Sequence, residues 1–117
     1  MPTDVPTLRF RLIFDARRAI GPGKIDLLEA IAQTGSITAA ARAMRMSYKR
    51  AWQLVDDLNH CFVKPLVAAN KGGEHGGGTA LTPAGAKVLA LYRRMQHKTS
   101  KAAAAEIRSL ARLAQKD

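Results

Sequence analysis

The segment Ser36–Trp52, which reads SITAAARAMRMSYKRAW, constrains the fold more than any other stretch. Its two serines stand eleven positions apart, and each precedes a run of helix-forming residues. A serine placed there caps a helix by accepting a hydrogen bond from a backbone N–H in the first turn. The segment therefore predicts a short helix from Ser36 to about Met44, a turn through Met44–Ser47, and a helix from Ser47 to about His60. Ile37, Ala40, Ala41 and Met44 fall on the inner side of the first helix, Arg42 and Arg45 on the outer side. In the second, Ala51, Leu54, Val55 and Leu58 form the inner stripe, while Lys49, Arg50, Gln53, Asp56, Asp57 and Asn59 stay polar. Ala40 and Ala41 supply the small side chains that two closely crossing helices require.

The flanking sequence completes a recognisable order of elements. Residues 1–7 read as a loose tail. Leu8, Phe10, Leu12 and Phe14 alternate along 8–14, the period of a strand. Asp15–Arg18 then turns the chain, and Ala19–Ile20 is a short return strand. After the Gly21-Pro22-Gly23 break, Lys24–Thr34 is predicted helical, with Ile25, Leu28, Ile31 and Ala32 inward and Gly35 as the stop. Leu66–Ala69 and Thr79–Leu81 are short strands on either side of Asn70–Gly78, which holds five glycines in nine residues. Thr82-Pro83 starts a long last helix, an N-cap followed by proline at the first helical position. Its Val88–Leu91–Met95 stripe is out of register with Ile107–Leu110–Ala114, so a break is expected near His97–Lys101.

Helix, tight turn, helix and glycine-tipped hairpin describe a winged helix-turn-helix. The expected fold is mainly α with small β: an N-terminal strand or hairpin, a Gly-rich β-hairpin wing and a long C-terminal helix. The expected domain spans 8–97, followed by a basic helical tail over 98–117. Such a fold presents the N-terminal end of its second motif helix to the major groove of DNA, where base edges are read. The candidate DNA-binding residues are Ser36, Thr38, Arg42, Arg45, Ser47, Tyr48, Lys49, Arg50, Gln53, Lys71, Gly72, Gly73, Gly76 and Gly77. Arg42, Arg45, Lys49, Arg50 and Lys71 suit phosphate oxygens, and Lys49 and Arg50 also suit guanine acceptors. Gln53 is either a reader of adenine or a plain surface amide. The wing glycines keep the loop thin and leave N–H groups to face phosphates. Trp52, the single tryptophan, is expected to pack in the core, with stacking on sugar or base as the alternative. Val88, Leu91 and Met95 are the candidate dimer interface.

Charge agrees with an anionic partner. The 117 residues carry a formal net charge of +10, from 19 Lys and Arg against 9 Asp and Glu. Much of the excess lies late: residues 83–117 hold eight basic and two acidic side chains. The tail is open to three readings: a solvated helix, extra phosphate contacts, or packing against a partner subunit. Asp56 and Asp57 repel phosphate, so the C-terminal half of the third helix is expected to point away from DNA. Those aspartates diverge by about 100° on a helix and form no acid–base pair. His60, Cys61, His75 and His97 lack metal-ligand spacing, and no Lys-Ser/Thr follows Gly78 to make a phosphate loop. No enzyme activity, metal or cofactor is expected. The single cysteine, Cys61, reads as a small buried apolar residue in a reducing compartment. No apolar run approaches the ~18 residues of a membrane span, and the N-terminus lacks a signal-peptide pattern, so a cytoplasmic protein without a membrane partner is expected.

Three motifs together carry a family resemblance: Gly21-Pro22-Gly23-Lys24 through Thr34-Gly35-Ser36-Ile37, Met46-Ser47-Tyr48-Lys49-Arg50-Ala51-Trp52, and the wing glycines with Leu81-Thr82-Pro83. Over roughly residues 8 to 97 the chain resembles the DNA-binding domain of the ModE family of molybdate-dependent transcriptional regulators. Its Gly-Ser-Ile-Thr-x-Ala-Ala element is shared more widely with LysR-type regulators. The resemblance implies a homodimer on a palindromic double-stranded operator, often near molybdate-transport genes. It also implies that Ser47, Tyr48, Lys49 and Arg50 lie at the DNA, with Lys71 and the wing glycines beside them. Full-length members bind molybdate in a C-terminal β-rich domain. Residues 98–117 are an Ala/Lys/Arg-rich tail instead, so the chain resembles the stand-alone relatives and direct molybdate binding is not expected. The rival readings are a non-specific nucleoid-like or RNA-binding protein and a protein-interaction winged helix. Aromatic residues make up only 5% of the chain, which disfavours a single-stranded RNA reader.

Overall fold

The computed structural model describes residues 6–70 and 78–114. Its elements run β1 (Leu12–Ile13), β2 (Ala19–Ile20), α1 (Pro22–Thr34), α2 (Ile37–Ala43), α3 (Tyr48–Cys61), β3 (Val67–Asn70), β4 (Gly78–Leu81), α4 (Pro83–Ala102) and α5 (Ala104–Leu113). The strands form two antiparallel pairs, β1 with β2 and β3 with β4. In the second pair the register matches Val67 with Leu81 and Asn70 with Gly78. This is the expected winged helix-turn-helix.

Local chemistry explains where each helix starts. Pro22 and Pro83 occupy the first turns of α1 and α4, where a missing N–H costs nothing. The Ser36 and Ser47 hydroxyl oxygens accept from the backbone N–H of Ala39 and Arg50, each at 3.0 Å. Thr82 does the same for Gly85 and donates its own O–H to the Pro65 carbonyl at 2.7 Å, joining the start of α4 to the entry of the wing.

The core gathers Ile25, Leu27, Leu28 and Ile31 of α1, Ala40 and Ala41 of α2, and Ala51, Leu54, Val55, Leu58 and Cys61 of α3. Leu66, Val67 and Tyr92 close it. Ala40, Ala41 and Ala51 are the small residues that let the two motif helices meet. Burial pushes the Cys61 thiol up from its ordinary range.

Three polar links tie the periphery to this core. The Tyr92 hydroxyl donates to the Phe10 carbonyl at 2.6 Å, and the two rings stack with centroids 4.8 Å apart. Arg93 of α4 bonds Glu29 of α1 at 2.8 Å and Asp26 at 3.1 Å. Asn59 of α3 accepts from the N–H groups of Leu66 and Val67 at 2.9 and 3.1 Å, and donates back to the Val67 carbonyl at 3.1 Å.

The structure corrects several expectations. The strand expected over 8–14 shrinks to Leu12–Ile13, because Phe10 is taken by Tyr92 and Phe14 N–H already turns back to the Arg18 carbonyl. Ala32 is exposed, and Leu27 fills its place in the core. The break expected at His97–Lys101 falls at Ala103, since α4 continues to Ala102. No helix among the described residues is long and apolar enough to cross a membrane.

Candidate nucleic-acid interface

The turn between α2 and α3 is built so that its charges face outward. Four residues, Met44–Ser47, separate the two helices. The Met46 N–H bonds the Ala41 carbonyl at 3.0 Å and the Arg45 N–H bonds the Arg42 carbonyl at 3.1 Å. This pair of bonds is a Schellman closure, in which the residue just past the cap takes left-handed backbone. Here that residue is Arg45, with φ 58°, the only non-glycine at positive φ among the described residues. Its side chain is exposed and forms no hydrogen bond or ion pair with another described residue.

α3 divides cleanly by face. Ala51, Leu54, Val55, Leu58 and Cys61 are buried, and Tyr48, Lys49, Arg50, Trp52 and Gln53 are exposed. No acidic residue occupies its first turn. The N–H groups left unpaired at a helix start carry partial positive charge, and Lys49 and Arg50 add to it. With Arg42 and Arg45, these residues surround the start of α3 with positive charge. Further along the helix, the His60 ring lies against Asp56, 2.7 Å from its carbonyl oxygen and 3.5 Å from its carboxylate.

The candidate residues therefore sort into groups. Arg42, Arg45, Ser47, Tyr48, Lys49, Arg50 and Gln53 all lie at the turn or the first turns of α3, and all are exposed. Thr38 is exposed on α2, and Ser36 is half-buried as its cap. The two serine oxygens already accept as caps, which leaves each hydroxyl its proton to donate. Lys71, Gly72, Gly73, Gly76 and Gly77 lie outside the described residues. The strands on either side of that segment are each anchored: β3 by Asn59, and β4 by a Thr79 N–H to Gly35 carbonyl bond of 2.9 Å.

Trp52 is the main correction. Core packing was expected, yet its side chain is 51% exposed. The reason is its angle on the helix: it sits one residue beyond Ala51, about 100° around from the core stripe. Asn59 occupies an ordinary polar position of the helix pattern, and nothing in the motif signals that it tethers β3.

The sequence matches the family described as "Bacterial regulatory helix-turn-helix protein, lysR family" over residues 23–86, more than half of the chain. The chain belongs to this family. It is a helix-turn-helix DNA-binding domain of a transcriptional regulator. The chain is 42% identical over 88 residues to the Azotobacter vinelandii "Molybdenum transport protein ModE", covering 75% of this chain and 33% of that protein. It is 49% identical over 73 residues to the Rhodobacter capsulatus "Molybdenum-pterin-binding protein MopB", covering 62% of this chain and 27% of that one. The chain thus spans a third or less of the length of these curated relatives. Among solved structures, "Crystal structure of CbnR_DBD-DNA complex" superposes with a TM-score of 0.57 at 22% identity, covering 76% of this chain and 95% of that one. That likeness shows the same fold.

The stripe Val88, Leu91 and Met95 lines an apolar groove of about 430 Å³ together with Leu12, Phe14, Ile20 and Phe62. The N-terminal hairpin and α4 thus share one exposed apolar face.

Proposed function

We propose that the chain is a sequence-specific, double-stranded DNA-binding regulator of the ModE type. The observation that carries this is the face-divided α3: its start gathers Arg42, Arg45, Tyr48, Lys49, Arg50 and Gln53 around an acid-free first turn, and its other face is core. In this reading α3 enters the major groove. Lys49, Arg50 and Gln53 reach base edges, and Arg42, Arg45, Ser47 and Thr38 hold phosphates. Residues 71–77 approach the flanking backbone, with Lys71 on a phosphate. The groove between α4 and the N-terminal hairpin receives a second copy of the chain. A two-fold dimer then needs a palindromic operator with half-sites one helical turn, about 34–36 Å, or a multiple apart. In this reading that operator lies beside genes of molybdenum transport or metabolism, and the names of the relatives, ModE and MopB, support the link.

The test is titration of the protein against a duplex selected from a random-sequence pool and against its scrambled version, across a salt series. A specific regulator binds the selected duplex at least ~1000-fold more tightly at physiological salt. The slope of log affinity against log salt then counts the phosphates engaged. Equal binding of both duplexes, fading together with salt, would make the chain a non-specific DNA binder.

A further inference from the structure

The exposed face of α3 carries an aromatic pair beside its polar one. Tyr48 and Trp52 are four residues apart, so they stack along one line of the helix, and Lys49 and Gln53 form the adjacent line. Tyr48 is 54% exposed and Trp52 51% exposed. With Lys49 between them they line a shallow hollow of about 270 Å³. No described residue covers either ring in an aromatic pair, whereas Phe10, Phe14, Phe62 and Tyr92 all have one. Two large aromatic side chains left open at the functional end of a small domain call for an occupant.

The surroundings select the occupant. Lys49 and Arg50 flank the pair, Arg45 precedes it, and the first turn holds no acid. An apolar protein surface gains nothing from that charge, whereas DNA does. Within the major groove a base edge presents donors, acceptors and a single apolar group, the C5-methyl of thymine. We propose that Tyr48 and Trp52 form a thymine-methyl pocket, which makes Trp52 a specificity-determining residue of this domain. The proposal rests on the reading of α3 as the groove helix. It adds an apolar readout beside the polar one of Lys49, Arg50 and Gln53.

Uracil substitution tests it, because deoxyuridine differs from thymidine only by that methyl. Duplexes selected by the wild-type protein are resynthesised with each thymine of one half-site replaced in turn. At one or two positions the wild type should lose about fourfold in affinity, the contribution of one buried methyl group. At those positions Trp52→Ala should bind the thymine and uracil duplexes alike, and Trp52→Phe should keep part of the discrimination. The fluorescence of Trp52, the chain's single tryptophan, should change on binding. The wild-type arm needs no protein variant, so a folding defect in Trp52→Ala cannot hide the outcome. Uracil tolerated at every position overturns the proposal. So does an equal loss by Trp52→Ala on both duplexes, which would put the ring on the sugar or on a protein partner. Enrichment of a sequence with no uracil effect sinks only the methyl pocket. A pool that yields no enriched sequence sinks the regulator reading with it.

Discussion

The chain turns sharply after α1 and again after α2, and both turns place one residue in left-handed backbone. After α1 the residue is Gly35, at φ 72°. After α2 it is Arg45, at φ 58°. The first turn is a joint: its carbonyl receives the Thr79 N–H at 2.9 Å, and β4 runs so close that a side chain at Gly78 would meet that same oxygen at 2.9 Å. The second turn packs Met44 and Met46 against the core but leaves the Arg45 side chain exposed to solvent. Glycine adopts this backbone without strain, and another residue costs about 1–2 kcal/mol there. Where the turn serves packing, the sequence has the unstrained residue. Where it faces the proposed DNA, the sequence has a strained one with a positive charge. Strain of this kind concentrates at functional sites.

Substitutions break the comparison in a definite order. The largest effect is expected from Gly78→Ala, whose new methyl must push two backbone segments apart. A loss of about 2 kcal/mol, typical of overpacking, should appear in denaturant melts. Gly35→Ala meets no close atom, since Thr79 O would lie 3.9 Å away, so only the backbone preference is lost. Its expected cost is about 1 kcal/mol. Ser36→Ala and Ser47→Ala each remove a cap and should lower stability by about 1 kcal/mol. They sharpen the contrast in DNA titrations, where Ser47→Ala should weaken binding beyond its effect on stability and Ser36→Ala less so. Arg50→Ala should change stability little, relax specificity at one base position and cost about 1–3 kcal/mol of specific binding.

What could be read in advance was local. The helix caps of Ser36, Ser47 and Thr82 act within three residues and Gly35 and the two prolines within one turn, and all are legible, whereas the Thr82 bond to Pro65, 17 residues back, is not. So was the α3 stripe, because periodicity reports burial directly. The misses were long-range or angular. Nothing near Phe10 says that its carbonyl will meet Tyr92, 82 positions on, so the alternation over 8–14 suggests a longer strand than forms. Asn59 looked like an ordinary polar position, because its partners begin seven residues later in an irregular segment. Arg93 pairs across 64 and 67 residues with Glu29 and Asp26. Trp52 is a bulky apolar residue beside a buried stripe and so resembles part of it, and only its angle shows otherwise. The strain at Arg45 was invisible, since arginine is not a residue that signals left-handed backbone.

The most direct measurement is a single variant, Arg45→Gly, taken through two assays: thermal or denaturant unfolding, and titration with the selected duplex. Relief of the left-handed strain should raise stability by about 0.5–1 kcal/mol, net of glycine's greater freedom when unfolded. Loss of the charge should weaken DNA binding and reduce the salt slope by about one phosphate contact. Opposite signs are the predicted result. A variant that is more stable and binds DNA as tightly as the wild type, with the same salt slope, would contradict a DNA-facing role for this turn.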